Sequence, residues 1–144
     1  MPADPTVPRQ RFVIVNVPSA LTVSFSFFVR AHRGQPIPEY ARVLSSGTGP
    51  VSVSSVDART LRVRWLGRQE TLFRGDYRMT ALDRVRSTGM DVEVTAITDD
   101  GWPTEAAFRF DTELRDPALR WLQWGSTGFV GFHPPAVGET VTIR

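Results

Sequence analysis

The stretch "SALTVSFSFFVRAHRG", Ser19 to Gly34, decides the fold. Two patterns compete in it. Leu21, Val23, Phe25 and Phe27 alternate with Thr22, Ser24 and Ser26, the period of a half-buried strand. The ends read otherwise. Ser19 follows Pro18 at an N-cap position, Arg30, His32 and Arg33 crowd what would be the last turn, and Gly34 stands where a helix ends in a left-handed residue. Two independent end signals agree, so the expectation is a helix over about residues 19–33.

The wider block Phe12–Val29 holds 18 uncharged residues, the lower edge of membrane-spanning length. Asn16, Pro18, Ser19, Thr22, Ser24 and Ser26 interrupt it, which makes a poor spanning helix. The apolar run Phe12–Val15 is too short for the core of a signal peptide, and no small-residue cleavage site follows. No transmembrane segment is therefore expected in this chain. "RFVIVNV" reads as a buried strand before Pro18. The whole block, Phe25, Phe27 and Phe28 included, is expected to fold inward.

Downstream, "ARVLSSGTGPVSVSSVDARTLRVRWLG" reads as three short strands, with turns at Gly47–Pro50 and Asp57-Ala58. In the third, Leu61, Val63 and Trp65 face one way and Arg62 and Arg64 the other. "RQETLFRGDYRMTALDRVRS" reads as a strand and an irregular crossing. "GMDVEVTAITDDGWPTEAAFRFD" is the clearest hairpin, turning at Asp99-Asp100-Gly101. "LRWLQW" and "FVGF" flank Gly125–Gly128 as a second hairpin, and "TVTI" closes the chain. The expected class is α+β, mainly antiparallel β, as a curled sheet or small open barrel or sandwich with one N-terminal helix. Its organisation is read as a frayed Pro-rich tail over 1–10 and a single domain over 11–144.

Charge and composition narrow the chemistry. The chain has no cysteine, so disulfides, thiolate nucleophiles and Cys-ligated metals are excluded. All 17 basic residues are arginine, yet the net charge is only +2, which is not the footprint of an obligate nucleic-acid binder. Asp57 to Arg86 carries eight arginines against four acids, and Asp91 to Asp116 eight acids against two arginines. Cross-strand pairing between neighbouring strands is the expected use of that asymmetry.

From "VNVPSAL" onward, the order of landmarks includes "RAHRGQPIPEYARVLS", "VSSVDARTLRVR", "GMDVEVTAITDDG", "LRDPALRWLQW" and "FHPPAVGETVTI". Together they resemble the soluble C-terminal portion of a group of uncharacterised multi-pass bacterial membrane proteins. The resemblance implies a helix after "PSAL" and a membrane setting. It carries no activity and no catalytic residues. Against that group, the chain stands as the isolated soluble part or a stand-alone relative.

His32 and His133 lack a nucleophile elbow nearby, so a Ser/His enzyme is not expected. Asp99-Asp100 reads as a solvated turn in place of a calcium site, and Asp91, Glu93 and Glu105 as a polar strand face in place of a glycosidase pair. No catalytic, cofactor or metal residues are assigned. Trp102, after a turn glycine, and Trp124 are the expected partner-binding anchors, with Arg62 and Arg64 beside acidic faces setting orientation. Of Trp121 and Trp124, three apart, one is expected in the core and one at the surface. The leading expectation is a non-enzymatic accessory or interaction domain, with a protein partner in a membrane or envelope assembly. Its expected place is the membrane periphery or the periplasm. The alternative is a small barrel binding single-stranded nucleic acid through Arg62, Arg64, Arg68 and Arg74.

Overall fold

A computed structural model describes residues 1–67, 80 and 82–144. The described residues contain one α-helix and ten strands. They fall into two compact units, where the sequence reading drew a single one over 11–144. Unit 1 is Met1–Thr48 with Asp116–His133, and unit 2 is Gly49–Arg115 with Pro134–Arg144.

The conflict in the opening stretch resolves in favour of the caps. Helix α1 is Ala20–His32. Ser19 is in extended conformation, and its Oγ accepts from the Leu21 amide at 3.3 Å. At the other end Gly34 has φ +62°, a value that costs a side chain with a Cβ. The Gly34 amide bonds Ala31 O at 3.1 Å and the Gln35 amide bonds Arg30 O at 2.9 Å. That pair of bonds satisfies the carbonyls a helix end leaves open.

In unit 1, β1 (Arg11–Ile14) lies between β2 (Tyr40–Val43) and β8 (Leu119–Gly125), parallel to both. β9 (Gly128–Gly131) pairs antiparallel with β8 as the expected hairpin. The parallel pairs were not expected; β1, α1 and β2 form a crossover unit inside a mainly antiparallel fold. Val23 of α1 and Phe12, Ile14, Val17 and Leu122 make the core cluster, with Val7 from the N-terminal segment. The ten residues expected to fray are tied down instead. Val7 is fully buried in the 3₁₀ turn Val7–Arg9, and Asp4 pairs with Arg120 at 2.6 Å. Thr6 and then Arg120 hydrogen-bond the Asp4 carboxyl and push its pKa down to about 2.

Unit 2 is one six-stranded sheet in the order β10-β3-β4-β7-β6-β5. The strands are β3 (Val51–Ser55), β4 (Thr60–Trp65), β5 (Arg84–Ser87), β6 (Met90–Ile97), β7 (Pro103–Phe110) and β10 (Thr140–Ile143). Every pair in it is antiparallel. Leu61, Val63, Ala106, Phe108 and Phe110 are buried, as the period-2 pattern requires. The β6–β7 turn falls at the expected place, with Gly101 at φ +83°. Neither sheet closes, so the barrel among the expected shapes is not formed.

Candidate functional site

Arg62 and Arg64 lie two apart on β4, so they share one face. The register places Arg64 opposite Glu105 of β7 and Arg62 opposite Ala107. Glu105 is only 9% exposed. Arg64 Nη2 sits 2.9 Å from Oε2 and Arg62 Nε 3.6 Å from Oε1, while Thr95 Oγ1 donates to Oε1 at 2.8 Å. A bulge in β6 beside Val94 and Ala96 accompanies Thr95's reach to this carboxylate. Burial alone would raise the Glu105 pKa. The Thr95 and Arg64 hydrogen bonds and the two guanidinium charges outweigh it and hold the carboxyl below its ordinary value. Arg84 and Glu93 make a second cross-strand pair at 2.7 Å. The charge asymmetry of the sequence is thus spent, in these pairs, across neighbouring strands.

That arrangement leaves Arg62 and Arg64 as partners of a carboxylate. Trp65 faces away from both, on the side of Leu61 and Val63, so it does not join this rim. Arg68 and Arg74, the other members of the nucleic-acid alternative, lie outside the described residues. On the same sheet face an open groove of about 280 Å³ lies between Thr60, Ala107, Arg109, Asp91, Arg84 and Arg86. Its floor is low because Ala107 stands among longer side chains.

The tryptophans fare unequally. Trp102 is half-buried at the β6–β7 tip in unit 2, its amide donating to Thr98 Oγ1 at 3.0 Å. Trp124 belongs to unit 1 and packs against the core cluster, edge-on to Phe129 with ring centroids 5.0 Å apart. The surface position expected for one of Trp121 and Trp124 is not found. Trp121 is buried and Trp124 is half-buried, because both faces of this sheet hold apolar residues. His32 and His133 are exposed, and both belong to unit 1. Among the described residues no group of three or more His, Cys, Asp or Glu is placed to hold a metal ion.

The sequence reading missed the most unusual surface. The N-terminal block does not all fold inward. Phe27 packs on the core cluster, but Leu21 is 63% exposed and Phe25 and Phe28 are each 68% exposed. At 100° per residue, Leu21, Phe25, Phe28 and His32 lie within about 60° of arc on α1. Val23 and Arg30 occupy the opposite side and are buried. Exposed Ser24 and Ala31 flank the stripe with small side chains. Spacing of 4, 3 and 4 residues was the signal available, hidden by the accidental alternation of Leu21, Val23, Phe25 and Phe27. The helix has 13 residues, about 20 Å, and no helix of the described residues is long and apolar enough to cross a membrane.

None of the protein families, curated proteins or solved structures compared with the chain matches it.

Proposed function

We propose that this chain is a non-enzymatic accessory domain that works at a membrane surface and docks there through the outward face of α1. The observation that carries the reading is the exposure of Leu21, Phe25 and Phe28 along one line of a helix whose other side is already packed. A helix apolar on both sides is normally buried on both. The largest exposed apolar patch of a monomer, a few hundred Å², is often a functional one. An amphipathic helix lying in the plane of the bilayer interface uses the same pattern of phenylalanine and leucine.

What disfavours single-strand binding is Glu105, shared by the two arginines that would track the phosphates. The docking element moves from the expected tryptophans to α1, since Trp124 is engaged in unit 1's core and Trp102 is half-buried. A membrane protein working beside the domain fits this placement.

The test is co-sedimentation of the full chain with vesicles made from extracted membrane lipid. Wild type is expected in the pellet and the Phe25→Ser/Phe28→Ser variant in the supernatant. Wild type remaining in the supernatant overturns the reading.

A further inference from the structure

Resting on that reading, we infer that the layer α1 docks onto is an anionic lipid headgroup surface. The stripe ends beside a cation. His32 continues the line of Leu21, Phe25 and Phe28 by one turn, and exposed Arg33 follows it. No carboxylate occurs anywhere from Pro5 to Pro38, so the helix and the segments leading to and from it contain nothing that repels an anionic surface. Two of the other arginines there are engaged. Arg30 is buried with its donors on the carbonyls of Pro2 and Pro36, and Arg11 faces Glu39 at 3.3 Å. Arg33 is exposed one residue beyond the end of α1, and Arg9 is exposed in the segment before β1.

The size of the patch argues for lipid over protein. Each exposed phenylalanine leaves on the order of 100 Å² outside, so the stripe offers a few hundred Å². A stable protein–protein interface needs about 800 Å² from each partner. A second copy placed antiparallel would pair Phe25 with Phe28 and Leu21 with His32, setting a cationic helix end against an apolar one. Insertion into the headgroup and acyl boundary has no such minimum area; its strength grows with each apolar side chain and each cation near anionic lipid. Ser24 and Ala31 beside the phenylalanines leave room for the rings to enter ahead of the helix backbone.

The experiment measures partition of the full chain onto phosphatidylcholine vesicles with and without phosphatidylglycerol. Phe25→Ser/Phe28→Ser and Arg33→Ala are run beside wild type, and far-UV circular dichroism verifies each fold. Expected are strong preference for the anionic vesicles, loss of partition in the phenylalanine variant, and about a five-fold weakening in R33A. Equal partition onto both vesicle types overturns the anionic inference and leaves membrane docking standing. Partition onto neither overturns both. A concentration-dependent dimer by light scattering, abolished by the phenylalanine variant with no vesicle binding, assigns the face to a second copy and also overturns both.

Discussion

Arg30 shows how a single position changes meaning between chain and fold. At the end of α1 its charge suits the helix dipole. In the structure it is 4% exposed and hydrogen-bonds backbone carbonyls at both ends of the local chain, Pro2 and Pro36. Desolvation, opposed by Asp4, lowers its pKa from the usual arginine value. Arg30→Met removes those bonds and is expected to lower stability by about 2 kcal/mol, because hydrogen bonds from charged donors are the stronger kind. Urea denaturation measures the loss, and amide exchange should speed up across Met1–Gln10. Glu105 makes a prediction with a defined sign. Its folded pKa lies below the ordinary 4.5, so its stabilisation is complete above that value and is lost as pH falls through the folded pKa. Glu105→Gln is expected to be less stable than wild type at neutral pH by about 1 kcal/mol, since its arginine partners are exposed. The gap should close as pH drops below 4.5, measured by thermal unfolding across an acid series.

Among the elements, α1 was legible by its ends and illegible by its faces. Ser19 and Gly34 state local backbone chemistry, which needs no tertiary partner. Ser19→Ala is expected to cost about 1 kcal/mol through the lost cap. Gly34→Ala should cost about 1–2 kcal/mol through the left-handed conformation, although the space around Gly34 is open. Equilibrium unfolding of the two single variants and their double tests whether the ends act independently; near-additive losses are expected for such distant sites. The face directed to solvent had no such local marker. Leu21 and Val23 are equally apolar, and only packing against Phe12, Ile14 and Leu122 makes one inner and the other outer. The β6–β7 hairpin was legible in its strands and its turn, because alternation and an Asp-Gly turn are both short-range signals. Its bulge was not, since it follows from how β6 meets β7.

Over the whole molecule, chain order and spatial order part company. Unit 1 is assembled from two separated stretches, with β8 supplying the second parallel partner of β1. A fragment ending at Thr48 therefore keeps β1, α1 and β2 but loses Leu122, Trp124 and a full row of β1 hydrogen bonds. It is expected to lack cooperative unfolding, checked by circular dichroism in urea; a sharp transition with the helix signal intact would contradict the pairing described for β1.

Sequence alone determined the features that arise within a few residues: the limits of α1, the hairpins at Asp100-Gly101 and Gly125–Gly128, and the opposition of arginines and acids on adjacent strands. Each follows from backbone preference or from period, which neighbouring residues set without reference to the rest of the chain. Only the tertiary structure decided the parallel seat of β1, the burial of Arg30 and Glu105, the engagement of Trp124 and the outward stripe of α1. Burial is a property of what arrives from far along the chain. The same phenylalanine is core or exposed surface according to which side the distant strand β8 and the N-terminal segment cover.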